Sequence, residues 1–309
     1  MHCRFNTAKN VPRWRRVILF LVCVCFVAAC KKADGGVAAD NAPPNARIVD
    51  YFGPLQVKGN TIVGEKGTPV VLRGMSLFWS QWGGTYFTAG CVNWLRDDWK
   101  CTVVRAAMGV DGGGYLTNPE AELRKTTDVI DACISAGIYV IVDWHDHNAQ
   151  NHLSAAKEFF RTIAQRYGDK PNVIYEVFNE PMQISWRDSV KPFAVEVINV
   201  IRQYDPDNLV VVGNPAWSQD VDVAANDPIV DVNVAYSLHF YSGTHRQWLR
   251  DKAATALNLG AALFVTEYGI SQASGDGAID YAETARWTAF IDSCKLSACN
   301  WSIIDKTET

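Results

Sequence analysis

The sequence predicts an α/β fold, a closed (β/α)8 barrel that stops after its eighth strand. Three observations predict it: eight short apolar runs recur from residue 70 onward, stretches of helical periodicity separate them, and polar residues gather at the C-terminal ends of the runs. Strands alternating with helices form right-handed βαβ units and a parallel sheet, and eight such units in roughly 250 residues close into a barrel. A doubly wound open sheet would also alternate, but the glycine-rich phosphate loop expected after its first strand is missing.

In chain order the strand candidates are 70–74 (VVLRG), 102–106 (TVVRA), 138–143 (IYVIVD), 173–178 (VIYEVF), 209–213 (LVVVG), 234–240 (VAYSLHF), 262–266 (ALFVT) and 299–304 (CNWSII). Such near-continuous Val/Ile/Leu runs are what strands buried on both faces require. Helical periodicity covers 121–136, 149–167, 191–204, 247–259 and 279–294, with shorter stretches at 92–99 and 218–225. Residues 51–69 carry Gly59-Asn60 and Gly64-Glu65-Lys66-Gly67 turn signals and read as a hairpin across the bottom of the barrel. Only Asp305 to Thr309 follow the eighth strand, so the outer faces around Val71 and Ile303 are expected to be under-covered. Trp94, Trp99 and Trp287, at helical positions, are expected in the core.

The 309 residues include 48% hydrophobic and 20% charged side chains, enough for a substantial core. A net charge of −4 without a clustered basic face excludes a nucleic-acid partner. Arg13, Arg15 and Arg16 precede an apolar run from Val17 to Ala29, the pattern of a signal peptide over residues 1–29 and too short to span a bilayer, which takes ~20 residues. The run ends Val27-Ala28-Ala29-Cys30, which resembles a bacterial lipobox and implies cleavage before Cys30 and lipidation of its thiol. An exported envelope lipoprotein on the outer membrane, facing the periplasm or the surface, is the expected location. Residues 30–50 read as a flexible tether and 51–309 as the barrel. Of nine cysteines, Cys91, Cys101, Cys133, Cys294 and Cys299 fall in the barrel; they form no CxxC pair, and buried thiols are expected, with a Cys294–Cys299 bridge in an oxidising compartment left open.

Polar residues sort by strand end. Arg105 closes the second strand, Asp143 and His145 the third, Asn179 and Glu180 the fourth, His239 and Tyr241 the sixth, Glu267 the seventh, and Trp301, Asp305 and Lys306 the eighth. In a barrel that pattern marks the catalytic face. Glu180 and Glu267, each delivered by a buried strand, form the smallest set of groups able to break a glycosidic bond.

Taken together, LRGMSLFWSQW (72–82), TVVRAAM (102–108), YVIVDWHDHN (139–148), VIYEVFNEP (173–181), PAWSQDV (215–221), YSLHFYSGTH (236–245), FVTEYG (264–269) and NWSIIDKTE (300–308) resemble glycoside hydrolase family 5, in particular its bacterial endo-β-1,4-glucanases. The resemblance implies retaining hydrolysis of cellulose or a related β-glucan by a monomer without cofactor or metal. It implies that Glu180 is the acid/base and Glu267 the nucleophile, with Asn179 on the sugar 2-hydroxyl and Arg105 beside the nucleophile. His145, His239 and Tyr241 would surround the sugar being cleaved, and Trp301 would lie beneath it. Trp82 and Trp217 would stack on neighbouring sugars, and Lys306 and Glu308 would hydrogen-bond further hydroxyls. Arg105 is expected to keep Glu267 ionised, whose charge would raise the pKa of Glu180. Phe78, Gly109 and Tyr268 depart from the family pattern, where histidine, tyrosine and tryptophan are common. Which β-glucan is preferred stays open among cellulose, mixed-linkage glucan, glucomannan and xyloglucan.

Two other readings compete. Asp143, His145, Asp146 and His147 form a D-x-H-D-H cluster, with His239, His245 and Asp305 as further possible ligands of a hydrolytic zinc. That reading leaves both glutamates unexplained. A surface glucan-binding protein without catalysis would explain the aromatic residues, but both carboxylates are present.

Overall fold

A computed structural model describes residues 46–305. The leader, Cys30, most of the tether, Lys306 and Glu308 lie outside the described residues. Ten strands order the chain: β1 (Gln56–Lys58), β2 (Thr61–Val63), β3 (Arg73–Leu77), β4 (Val103–Gly109), β5 (Tyr139–His145), β6 (Val173–Glu176), β7 (Val210–Val212), β8 (Val234–Tyr241), β9 (Leu263–Gly269) and β10 (Ser297–Ile303). β1 and β2 pair antiparallel, and β3 to β10 close a parallel barrel through the β10–β3 pairing. All eight expected barrel strands are present. The first is displaced to 73–77, because Val70 and Leu72 are drawn into the apolar floor.

The helices, in order, are α1 (Ile48–Phe52), α2 (Ser80–Gly83), α3 (Ala89–Asp97), α4 (Pro119–Ala136), α5 (Leu153–Tyr167), α6 (Lys191–Ile201), the turn α7 (Pro215–Ser218), α8 (Val221–Asn226), α9 (Gln247–Asn258) and α10 (Tyr281–Cys294). Their ends follow local chemistry. α4 starts on Pro119 and stops at Gly137, whose left-handed φ of 71° only glycine adopts freely. Asp280 caps α10 by accepting from Glu283 N at 3.0 Å. Among the described residues no helix is long and apolar enough to cross a membrane.

The tether expected to reach residue 50 gives way to α1 at Ile48. Val49 and Phe52 are buried in the barrel floor, Val49 N donates to Gly137 O at 3.1 Å, and Arg47 donates to the α4 carbonyls of Ile134 and Ser135. The β1–β2 hairpin closes the same end. Val71 is buried and Ile303 packs partly against the core, so the gap expected around them is smaller than anticipated. Trp287 is buried as expected, whereas Trp94 and Trp99 are 44% and 51% exposed and lean on each other at 5.2 Å. α3 buries Val92 and Leu95 rather than Trp94, and it ends before Trp99. Cys101, Cys133 and Cys299 are buried thiols.

Inside the barrel, alternation of period two builds layers. Val103, Ile141, Ile174, Ala235 and Phe264 form an apolar floor. Two residues later on each strand stand Arg105, Asp143, Glu176, Ser237 and Thr266, all fully buried. The catalytic mouth therefore rests on a polar layer supported by an apolar one.

Candidate active site

Arg105 is the hub of that polar layer. Its Nε donates to Glu176 Oε2 at 2.7 Å, Nη1 to Glu267 Oε2 at 3.0 Å, and Nη2 to Asn179 Oδ1 at 2.6 Å, with Nη2 also 2.9 Å from Asp143 Oδ2. Four groups on or just beyond three strands, β5, β6 and β9, are thus fixed by one guanidinium fork. The contact to Asn179 also orients its amide: Oδ1 faces Arg105, leaving Nδ2 buried with no hydrogen-bond partner. A buried donor left unpaired is costly, so Nδ2 keeps a hydrogen-bonding capacity that the protein does not itself use.

Glu267 reaches the mouth through a bulge. β8 pairs Ser237 with Phe264 and His239 with Glu267, two residues against three, and β10 shows the same offset between Ala298 and Asn300. Unbroken alternation would point Tyr268 inward. The extra residue in β9 turns Glu267 in and sends Tyr268 out to stack on Phe240 at 5.2 Å. Tyr241 OH donates to Glu267 Oε1 at 2.7 Å, so each carboxylate oxygen has a donor. Gly269 makes this possible, since a Cβ there would sit 2.3 Å from the Tyr241 ring.

Glu180 lies just beyond β6. His239 Nδ1 is 2.9 Å from its Oε1 and His147 Nε2 is 3.2 Å from its Oε2. Single ligand atoms of Glu180, His239 and Glu267 lie within 4.8 Å of one another. The segment around Glu180 is held by the β7 end: Ser218 Oγ donates to Asn179 O at 2.8 Å and Trp217 N to Pro181 O at 2.8 Å. Gly213 permits the approach, for a Cβ there would meet Phe178 O at 2.1 Å.

Beneath His239, Thr266 Oγ1 donates to Glu176 Oε1 at 2.6 Å and lies 2.8 Å from His239 Nε2. Burial raises Glu176, but the Arg105 charge and the hydrogen bonds from His239 and Arg105 outweigh it and hold it at about 2. With its hydrogen committed to that carboxylate, Thr266 can only accept from His239, so Nε2 carries a proton and Nδ1 faces Glu180.

Burial lowers His239, yet its hydrogen bonds to Glu176 and Glu180 and their charges raise it to about 9. Glu180, raised by burial, is brought down to about 2 by hydrogen bonds from His147 and His239. Glu267 is raised by burial and by the charge of Glu180, against His239, Arg105 and Tyr241. The direction for Glu180 reverses the sequence expectation of a raised carboxyl there, while Glu267 is pushed upward in spite of Arg105. The histidines, which strand-end reasoning left out of the charge balance, account for the reversal.

Aromatic rings flank the carboxylates. Trp301 stacks parallel on His145 at 5.1 Å and contacts Phe78 at 5.3 Å, while Trp79 lies 4.1 Å from His145 and 5.3 Å from the 60% exposed Trp82. The absence of a side chain at Gly109 is filled by Gln81, since a Cβ at 109 would fall 1.6 Å from Gln81 Oε1. Ser80 Oγ accepts from Gly109 N at 2.8 Å and donates to buried Glu122, fixing the loop that carries Trp79 and Trp82. Trp217, in α7, is 38% exposed.

The structure therefore brings Arg105, His145, Asn179, Glu180, His239, Tyr241, Glu267 and Trp301 together as the sequence predicts. Sequence reasoning missed Trp79, Glu176, Ser237 and Thr266, and gave His147 only a metal-binding role. Glu176 could have been found, since it stands two residues after Ile174 on a strand already assigned. The zinc reading of the His145/His147 cluster has no support in the geometry. His145 Nδ1 is 2.6 Å from Asp143 Oδ2, His245 Nδ1 accepts from Tyr241 N at 2.7 Å, and the trio within ligating reach among the described residues contains neither His145 nor His147.

A (β/α)8 barrel with two glutamates so close at its C-terminal mouth defines a hydrolase of the two-carboxylate class. The family model described as cellulase (glycosyl hydrolase family 5) matches residues 63–307, and the chain belongs to that family. Endoglucanase Z of Dickeya dadantii is 50% identical over 260 residues, 82% of this chain and 61% of its own, so the chain spans about three fifths of that relative's length. A structure from Cytophaga hutchinsonii superposes with a TM-score of 0.84 at 56% identity, covering 84% of this chain and 86% of that one. The catalytic domain of Thermobifida fusca endoglucanase Cel5A, in complex with cellotetraose, superposes with a TM-score of 0.81 at 36% identity, covering 84% and 88%.

Proposed function

We propose that this chain hydrolyses internal β-1,4-glucosidic bonds of cellulose or a related β-glucan with net retention, Glu267 acting as nucleophile and Glu180 as acid/base. The observation that carries it is the closeness of the two carboxylates, one oxygen of each lying within 4.8 Å of the other. Retaining enzymes keep the pair about 5–5.5 Å apart, whereas inverting ones leave about 6.5–9.5 Å for a water. The endoglucanase relatives and the cellotetraose held by the Thermobifida fusca domain support the substrate class.

In the free enzyme the proton shared by His239 and Glu180 resides on His239. Its shift along the 2.9 Å hydrogen bond makes Glu180 an acid and removes the charge that raises Glu267. Arg105 and Tyr241 then hold Glu267 ionised for attack on the anomeric carbon. As the C1–O bond breaks, the leaving oxygen takes the Glu180 proton. In the second half, Glu180 accepts a proton from the water that displaces Glu267. Asn179 Nδ2 donates to the 2-hydroxyl, and Trp301 supports the apolar face of the sugar undergoing cleavage.

Following the first-formed anomer by NMR tests the reading: a β-product from a β-glucan is expected, and an α-product would refute it. Dialysis against a chelator is expected to leave activity unchanged; loss restored by zinc would favour the histidine-cluster reading. For location, the basic and apolar leader and the Val27–Cys30 motif support export and tethering through Cys30. Cys30→Ala should then release enzyme into the soluble fraction, and wild type found already soluble outside the cell would defeat the anchor.

A further inference from the structure

A cleft of about 470 Å³ at Glu180 is lined by Trp217, Tyr241, Thr244, His245 and Trp248 among others, and by none of Trp79, Trp82 and Trp301. That volume is within the range of small-molecule sites. Glu180 lines it and Glu267 does not. The cleft therefore lies on the side of the oxygen that Glu180 protonates, the leaving-group side.

Both walls are built on catalytic segments. Trp217 sits in three successive left-handed residues, Ala216, Trp217 and Ser218 at φ 56–57°, a conformation that non-glycine residues hold only when the surroundings enforce it. The enforcing contacts run to Pro181 O, Met182 O and Asn179 O, next to Glu180. Trp248, 46% exposed in the first turn of α9, meets the His245 ring edge-on at 5.8 Å. His245 is itself fixed: its Nδ1 accepts from Tyr241 N at 2.7 Å, its N donates to Tyr241 O at 2.8 Å, and its carbonyl accepts from buried Trp287 Nε1 at 2.9 Å.

We propose that Trp248 is a sugar platform on the leaving-group arm, forming with Trp217 a two-walled subsite for a glucose unit of a β-1,4-linked chain. The inference rests on the retaining β-glucanase reading above. The apolar faces of a pyranose match an indole face, and a platform held by a fixed histidine loses little freedom when a sugar packs on it.

Cellopentaose labelled with 18O at its reducing end tests this, because the mass of each product reports which bond was cut. Trp248→Ala is expected to lower kcat/KM about two- to tenfold, the worth of one ring contact. It should also shift cleavage toward the reducing end, leaving fewer sugars on the weakened arm, and Trp248→Phe should restore most of both. An active Trp248→Ala enzyme with an unchanged cleavage pattern overturns the platform, whether or not its rate falls, and leaves the hydrolase reading intact. Failure of the wild-type enzyme to cut cellopentaose at all defeats the hydrolase reading instead.

Discussion

The His239 imidazole shares one proton with the Glu180 carboxylate across 2.9 Å. On its other side the ring meets Thr266, which answers to Glu176, which in turn answers to Arg105. Glu180 and Arg105, the cation paired with Glu267, are thus linked by a continuous set of hydrogen bonds.

Thr266→Val keeps the side chain's shape and removes the nearest acceptor of His239 Nε2, leaving Glu176 Oε1 at 3.7 Å. The protein is expected to lose about 1–3 kcal/mol of stability, the cost of a buried unpaired donor. The basic limb of the kcat/KM pH profile should move to lower pH with KM little changed, because the shared proton is held less firmly. Thr266→Ser should restore the profile. An unmoved limb in a folded Thr266→Val enzyme would mean that Thr266 merely packs.

Glu180 and Glu267 should fail differently when replaced by alanine. Without Glu267 the covalent step is lost on every substrate, with partial rescue by azide. Without Glu180, hydrolysis of polymer should fall about 10²–10⁴-fold, while an aryl glycoside with a good leaving group still undergoes the first step. Equal losses on both substrates would reverse or void the assignment.

Arg105→Met removes the cation shared by buried Asp143, Glu176 and Glu267. Breaking a buried ion pair from one side costs about 3–5 kcal/mol. Urea unfolding should show the midpoint falling accordingly with an unchanged slope. A loss below about 1 kcal/mol would show that the cluster repacks or takes up protons at little cost.

Stability should depend on pH in a defined direction on each side. His239, raised from 6.5 to about 9, contributes stability that is complete below pH 6.5 and lost as pH rises through 9. Glu180, lowered from 4.5 to about 2, contributes above pH 4.5 and loses it as pH falls toward 2. His245, lowered from 6.5 to about 4, contributes above pH 6.5 and loses it on acidification through 4. Melting temperatures at constant ionic strength should therefore fall on both sides, and His239→Gln should flatten the alkaline side. A wild-type melting temperature that climbed from pH 7 to 9 would contradict the assignment.

The order of strands and helices, the catalytic face and the two glutamates were legible in the sequence, because each depends on short-range periodicity and on where an apolar run ends. Arg105, Asn179 and His145 follow from the same logic, one strand at a time. What only the tertiary structure decided depends on several strands at once. The β9 bulge turns Glu267 rather than Tyr268 inward, a register fact fixed by pairing to β8 and β10. The lowering of Glu180 depends on His147 and His239, which meet it from the ends of two other strands. Trp248 carries no sequence signal, since an indole in the first turn of a helix reads alike in a core, on a bare surface or in a cleft. Its place beside Glu180 arises only when the barrel closes and brings the end of β8 against the end of β6.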